Sequence, residues 1–250
     1  MHNESEVVQL LLRRDSFSLN RFHYIAGFSD WLRLELIYQF GGLWLDASIL
    51  MNDATLITEM HAEASQKRSE ITGFHHNMFQ TLPQFPIVES WAFMAPPRST
   101  FVRQWRDEHM LALRLGPYYY QRAVLEANRA DPQLLYTIAG TYLTIHVCAQ
   151  VVLQTIRSSP WDEYAIFRDA TKDGGPLSLQ QNCGQMNFWC VGDALSDKQQ
   201  RKKFSLIKLT AKHRLWLEAS SSARRFLGQQ PLTKIIFFSI IFLVVLVLTY

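Results

Sequence analysis

Residues 28–50 read FSDWLRLELIYQFGGLWLDASIL and predict a helix, a glycine turn and a short buried strand that ends in a carboxylate. Ser29 is a suitable N-cap, and Asp30 would then lie in the first helical turn, where the helix dipole favours an anion. Gly41 suits the left-handed position that commonly follows a helix. We therefore expect the helix to end there and the apolar residues after it to form a strand, which Asp46 follows at once.

Asp46 is the first candidate for function because of its position after a buried strand. Ligands of open α/β sheets bind beyond the carboxyl ends of the strands, so an acid placed there is accessible to a ligand. Asp30 and Arg33 lie three residues apart, on one face of the preceding helix. Arg33 is suited to bind an anionic group, and Asp46 a ribose hydroxyl or a divalent cation that bridges a diphosphate. The alternative is that Asp30 and Arg33 form a surface ion pair and that Asp46 caps a turn.

The order of residues in this stretch resembles the sugar-binding signature of the capsular polysaccharide synthesis family of glycosyltransferases. Ser29-Asp30, Arg33 and the run LIYQFGGLWLDAS at residues 36–48 carry the resemblance. The run is also similar to the wider group with an Asp-x-Asp motif, which includes yeast-type mannosyltransferases and the glucosylating clostridial toxins. Three later segments resemble weaker blocks of the same family, namely residues 87–97, 142–154 and 204–210.

The resemblance implies an α/β fold: a GT-A-like single Rossmann-type domain. It also implies a glycosyltransferase that moves a sugar from a nucleotide-sugar donor to a glycan or other hydroxyl acceptor, with retention of configuration. Asp46 and Lys208 would be its catalytic residues, since a lysine there can neutralise charge on the leaving group. The ordinary alternative for Lys208 is a surface lysine at a strand end. The implied substrate-binding residues are Asp30, Arg33, Trp44, Ser48, Glu89, Trp91 and Thr210.

Two departures from the family pattern affect these expectations. Ser48 occupies the position at which Asp-x-Asp relatives carry a second acid that helps to hold a metal ion. Asp46 is then the one predicted metal ligand, so Mn²⁺ or Mg²⁺ should bind loosely and depend on oxygens of the substrate diphosphate. The residues ahead of Ser29 are also too few for the opening strand and base pocket of the family. Either the first strand is missing, or the chain is an incomplete copy.

Prolines bracket a second predicted strand at residues 87–94. Within it, Trp91 could stack on the apolar face of a sugar while Glu89 binds sugar hydroxyls. The alternative for Trp91 is a place in the core. The polar, glycine-containing region at residues 157–185 is the candidate for a lid over the donor.

Composition limits the other possibilities. A chain of 250 residues with 48% hydrophobic content and a 13% aromatic fraction can bury one substantial core and is not disordered. A net charge of +3, with the basic residues dispersed, argues against nucleic acid as a partner. Cys148, Cys183 and Cys190 are interpreted as core or free thiols in a reducing compartment.

The C-terminal residues 235–250 carry no charge and consist mainly of Ile, Leu, Val and Phe. This predicts a domain at 1–230 and a single transmembrane helix at 231–250, which attaches the protein to a membrane. Lys234 and the arginines before it predict that the globular part lies on the cytoplasmic side. The alternatives are a buried core helix and a spurious gene-model extension.

Two other classes of function remain open from the sequence. One is a catalytically inactive relative that binds a sugar or a partner. Ser48 and the short segment ahead of Ser29 favour this class. The other is a membrane-attached interaction protein that has kept the motif as a structural relic.

Overall fold

The computed structural model describes residues 23–76, 82, 84–131, 143–157, 159–172, 174–184, 188–209 and 244–246. The helices are α1 (His23–Phe40), α2 (Thr55–Lys67), α3 (Thr100–Leu115), α4 (Pro117–Glu126), α5 (Thr144–Val151), α6 (Ser178–Asn182), α7 (Phe188–Ser196) and α8 (Lys198–Arg201). The strands are β1 (Gly42–Leu45), β2 (Ile49–Met51), β3 (Ile71–His75), β4 (Val88–Ala95), β5 (Ala165–Asp169), β6 (Leu206–Lys208) and β7 (Val244–Leu246). Helix α5 continues into a π-helical turn at Val152–Ile156.

The described strands form two sheets. Five of them make one sheet in the order β5-β3-β4-β1-β7, in which β3 and β5 are parallel and the other neighbours are antiparallel. Strands β2 and β6 form a separate antiparallel pair. The α/β class predicted from the sequence is confirmed. The sheet is mixed, however, and Asp46 follows a strand whose two neighbours run in the opposite direction.

The glycine turn after α1 is as predicted, but the start of the helix is not. Helix α1 ends at Phe40, and Gly41 follows in a left-handed conformation with φ of +67°. The helix begins at His23, so Ser29 lies inside it rather than at its N-cap, and Asp30 is not in its first turn. The reason is that residues 23–28 contain no proline and extend the helical pattern upstream.

Gly41 provides a direct test of this turn. A Cβ at position 41 would lie 2.6 Å from both Cδ and N of Pro97, in addition to the left-handed strain. We expect Gly41→Ala to lower the free energy of unfolding by about 2–4 kcal/mol. The matched control is Gly174→Ala, because Gly174 also has positive φ but has nothing within 4 Å of its ideal Cβ. Gly174→Ala should lower the free energy of unfolding by only about 1 kcal/mol. Equal losses in urea denaturation would contradict the close approach to Pro97.

Apolar layers cover both faces of the larger sheet. Helices α1, α3, α4 and α5 cover one face, and Trp44 of β1 contributes to that core. Helix α2 and the β2–β6 pair cover the other face, where Leu43 is buried. Successive side chains of a strand point to opposite faces, so Asp46, two residues after Trp44, is directed toward the layer that contains α1.

The strand predicted at residues 87–94 is confirmed as β4, but the predicted lid is partly wrong. Helix α3 is capped by Ser99, whose hydroxyl accepts a hydrogen bond from the Val102 N–H at 3.2 Å. The lid predicted at 157–185 is wrong for residues 165–169, because these form β5 beside β3. Ala165, Ile166 and Phe167 are buried there, which explains why this part of a mostly polar region joins the sheet.

The cysteine interpretation holds for one of the three residues. Cys148 is a buried free thiol, as predicted. The prediction that Cys183 and Cys190 are thiols is wrong, because they form a disulfide across a sequence separation of 7 residues. Disulfides persist mainly in oxidising environments, so the reducing compartment inferred from these cysteines loses its support.

The membrane anchor predicted at 231–250 lies mostly outside the described residues. Its described part, Val244–Leu246, forms β7 and pairs with Leu43–Leu45 of β1. The helix prediction is therefore wrong at these three residues, where β-branched valines suit a strand. Across the part of the chain that the structure describes, no helix is both long enough and apolar enough to cross a membrane. The domain boundary at 230 and the cytoplasmic placement stay predictions.

Candidate functional site

Asp46 lies directly beyond β1 and beside β4. Its backbone N–H donates a hydrogen bond to the Trp91 carbonyl at 2.8 Å, and its own carbonyl accepts one from the Ile49 N–H at 2.9 Å. These bonds fix the position of residue 46 between the end of β1 and the start of β2. Its side chain is 24% exposed, so a ligand can reach the carboxylate.

The Asp46 carboxylate is held between two cations from distant parts of the chain. Oδ1 accepts a hydrogen bond from Trp44 Nε1 at 2.9 Å and lies 3.4 Å from Arg33 Nη2. Oδ2 lies 3.3 Å from Nζ of Lys208, which is 162 residues later. The fold therefore brings together the two residues that were predicted to be catalytic, Asp46 and Lys208.

Arg33 is a buried cation with its donors directed at several partners. Nη1 donates to the carbonyl and the hydroxyl of Ser90 at 2.8 and 3.0 Å, and Nη2 lies 3.1 Å from Asp30 Oδ1. The guanidinium also lies over the Trp44 ring, 5.2 Å from its centroid. Because these contacts engage both terminal nitrogens, Arg33 links α1 to β4 and orients Asp46.

The pair of Asp30 and Arg33 is not the surface ion pair that was the alternative. The exposed fractions of the two side chains are 13% and 8%. Burial raises the pKa of the Asp30 carboxyl above its ordinary value, although the Arg33 guanidinium lowers it. The Arg33 guanidinium thus offsets part of the cost of placing the Asp30 carboxylate at this partly buried position.

Lys208 is a partly buried lysine at the end of β6. Nζ donates a hydrogen bond to Ser48 Oγ at 2.6 Å and lies over the Trp91 ring, 5.2 Å from its centroid. Its side chain is 17% exposed, so the surface-lysine alternative is wrong. Burial lowers the pKa of Lys208, while the charges of Asp46 and then Glu89 raise it. The ammonium is therefore stabilised mainly by its carboxylate neighbours.

The aromatic residues of the predicted site are buried supports. Trp91 is 7% exposed and stacks on Phe74 with the ring centroids 5.5 Å apart. The prediction that Trp91 stacks on a sugar is contradicted, and its core alternative agrees with the structure. Trp44, 4% exposed, orients Asp46 through its indole N–H and offers little surface to a substrate.

The remaining predicted substrate contacts differ in their placement. Ser48 is buried and bound to Lys208. Glu89 is half-buried near the start of β4, close enough to influence Lys208. Thr210 lies outside the described residues. The structure thus brings Asp30, Arg33, Asp46, Ser48 and Lys208 into one cluster, which we call the Asp46 cluster.

Sequence reasoning missed two serines that bind Arg33. Ser90 accepts two hydrogen bonds from the guanidinium, and Ser29 Oγ lies 3.4 Å from Nη2. A signal for Ser90 was available, because it is a small polar residue inside a mostly apolar strand. A buried polar group in such a strand requires a hydrogen-bond partner.

The Asp46 cluster does not fit a divalent cation. Among the residues that the structure describes, no group of three or more His, Cys, Asp or Glu side chains could hold a metal ion. Ser48 Oγ is already bound to the Lys208 ammonium, and two cations lie within 3.4 Å of the Asp46 carboxylate. The Mn²⁺ or Mg²⁺ site predicted at Asp46 is therefore not supported by these donors.

The chemistry of the cluster suits a ligand with both hydroxyl and anionic groups. The Asp46 carboxylate can accept from a hydroxyl. The Lys208 ammonium carries three N–H donors and can bind an anionic oxygen.

Comparison with known proteins gives one family match. Residues 15–110 match the family model described as capsular polysaccharide synthesis protein. No curated protein and no solved structure matches the chain. The matched region includes all of the Asp46 cluster except Lys208, while the weaker blocks at 142–154 and 204–210 fall outside it. The relation to Asp-x-Asp glycosyltransferases stays a prediction. The resemblance to the capsular polysaccharide synthesis protein family is confirmed over residues 15–110.

Proposed function

We propose that this chain transfers a sugar from a nucleoside diphosphate sugar to a hydroxyl group of a glycan or similar acceptor. The match of residues 15–110 to the capsular polysaccharide synthesis model supports a role in capsular polysaccharide biosynthesis. The observation that carries the proposal is the contact between Asp46 and Lys208, whose charged atoms lie 3.3 Å apart with both side chains partly exposed. A carboxylate and an ammonium so close together can bind a sugar hydroxyl and an adjacent phosphate at the same time.

In the proposed reaction, the acceptor oxygen forms a bond to C1 of the sugar while the bond between C1 and the β-phosphate oxygen breaks. The electron pair of that bond leaves with the nucleoside diphosphate, and the acceptor proton passes to the departing phosphate. Lys208 stabilises the negative charge that develops there. Asp46 binds a hydroxyl of the donor. Retention of configuration belongs to the proposal, and it fits a site in which no protein base takes the acceptor proton.

The finer fold assignment is part of the same proposal. A GT-A-like, Rossmann-type domain is an α/β domain that binds its donor at the end of the sheet. The support is that Asp46 follows β1 directly and remains accessible.

A panel of nucleotide sugars tests this function. Uridine and guanosine diphosphate sugars are added to the purified full chain, and both the melting temperature and the slow release of free sugar are measured. Stabilisation together with sugar release supports the transferase. Stabilisation without release contradicts turnover and indicates a sugar-binding protein. No response to any donor contradicts the proposal and favours an interaction protein.

A further inference from the structure

We infer that the Lys208 ammonium takes the place of a divalent cation, so that the protein binds a nucleoside diphosphate without a metal ion. The inference rests on the proposed function and deepens it, because it names the cation that balances the diphosphate at the same site. It concerns binding of the diphosphate group, whichever sugar and acceptor the protein uses.

The position of Nζ is the first argument. It lies 2.6 Å from Ser48 Oγ and 3.3 Å from Asp46 Oδ2. These are the two positions of the predicted Asp-x-Asp-like motif. A neutral hydroxyl at position 48 accepts a hydrogen bond from an ammonium without adding a second negative charge. The chain itself therefore supplies both the cation and its two oxygen partners at this motif.

Crowding around Asp46 is the second argument. A carboxylate offers about four lone-pair positions. Trp44 Nε1 and Arg33 Nη2 approach Oδ1, and Lys208 Nζ approaches Oδ2. A metal ion on the remaining position of Oδ2 would lie close to the ammonium, and the repulsion between them would oppose binding.

The backbone of Lys208 is fixed beside the Asp46 cluster, which keeps its side chain within reach of Asp46 and Ser48. Lys208 pairs with Ile49 in the β2–β6 register, and the neighbouring Leu209 N–H donates to the Ser48 carbonyl at 2.8 Å. The Lys208 N–H donates to the Pro176 carbonyl at 2.7 Å, and its carbonyl accepts from the Gln180 side chain. These bonds fix the backbone of Lys208 beside the cluster, and Ser48 and Asp46 then hold its Nζ.

The remaining N–H donor of the ammonium indicates the class of ligand. Nζ has three N–H donors, and its contacts with Ser48 and Asp46 use two of them. The third can donate to a phosphate oxygen, as lysine does at many phosphate sites. Arg33 adds a second positive charge nearby, although both of its terminal nitrogens are engaged. Because the carboxylates of Asp30 and Asp46 balance the two cations, the directed N–H of Lys208, rather than an excess of positive charge, would bind the diphosphate.

Uridine diphosphate and guanosine diphosphate serve as probes in the test. Their binding to the full chain is measured by calorimetry, first in EDTA and then in excess Mn²⁺. We expect the Kd of the diphosphate that binds to change by no more than about twofold between the two conditions. Lys208→Met should weaken binding in EDTA by about 10- to 100-fold, because it removes a charge-assisted hydrogen bond to phosphate. Lys203→Met, which changes an exposed lysine bound to Gln200, is the matched control and should leave Kd unchanged.

The outcomes separate this inference from the proposed function. Binding that requires Mn²⁺ in the wild-type chain overturns the inference while the proposed function stands. The absence of binding in both conditions overturns the proposed function, and the inference with it. The double change Ser48→Asp with Lys208→Met removes the ammonium and supplies a second acid, so it should bind the diphosphate only with Mn²⁺. The wild-type comparison needs no variant and decides the question even if Lys208→Met does not fold.

Discussion

Replacing Asp46 with asparagine is expected to lower the turnover of a nucleotide sugar by about 100-fold or more. The amide keeps the size of the side chain and can still accept a hydrogen bond from Trp44 Nε1. It removes the negative charge that lies 3.3 Å from Lys208 Nζ and 3.4 Å from Arg33 Nη2. Without that charge, the ammonium is no longer held at the position where the proposed leaving group requires it.

The measurement is the initial rate of sugar release with the donor at saturation, together with its dependence on donor concentration. A loss in kcat with the Kd of the donor little changed assigns Asp46 to the reaction step. A loss in donor affinity alone assigns it to binding. Circular dichroism establishes that the variant is folded, so that the loss reflects the site.

Asp53→Asn is the matched control for Asp46→Asn. Asp53 is an exposed acid in the loop before α2, where its Oδ1 accepts a hydrogen bond from the Thr55 N–H at 2.9 Å. Asparagine can make the same bond, so turnover should stay within about twofold of the wild type. If both variants keep wild-type turnover, the proposed role of Asp46 is contradicted.

The local part of this site could be predicted from the sequence. Gly41 ends a helix because it adopts positive φ without steric cost, and the apolar residues after it have the pattern of a buried strand. These preferences act over a few residues, so the position of Asp46 at the strand end follows from them. The three-residue spacing of Asp30 and Arg33 likewise predicts their contact on α1.

The long-range part could not be predicted from local patterns. The contact between Ser48 and Lys208 spans 160 residues and depends on the register of β2 against β6. A short strand of three residues carries little register information of its own. Resemblance to the family suggested that Lys208 lies near the diphosphate, but its place between Asp46 and Ser48 emerges only from the fold.

Burial decided which predicted residues can touch a ligand. Trp91 was a candidate because aromatic rings stack on sugars, and Trp44 because of the family resemblance, yet both are in the core. Neither residue type nor spacing distinguishes a tryptophan beneath a site from one at its surface. The two tryptophans instead position Asp46 and Lys208, the partly exposed charges above them.

Arg33→Met is expected to lower the free energy of unfolding by about 3–5 kcal/mol, as measured by urea denaturation of the full chain. Methionine fills much of the same volume, so the loss reports the charge and the hydrogen bonds rather than a cavity. The change leaves Asp30 and Asp46 without their shared cation and leaves Ser90 without its donor. Arg122→Met is the control, because Arg122 forms an exposed ion pair with Glu126, and little change is expected there.

Two further measurements separate the charge of Arg33 from its shape. Arg33→Lys keeps the charge, but one ammonium cannot reach Ser90, Asp30 and Asp46 together, so it should recover only part of the lost stability.

Arg33 also opposes the effect of burial on Asp30, so its removal should raise the pKa of that carboxyl further. An acid whose pKa is higher in the folded state than in the unfolded state gains stability as the pH falls through its folded pKa. The deficit of Arg33→Met should therefore be smaller at mildly acidic pH than at neutral pH. A deficit that does not depend on pH would contradict the ion pair as its source, and wild-type stability in Arg33→Met would contradict Arg33 as the link between α1 and β4.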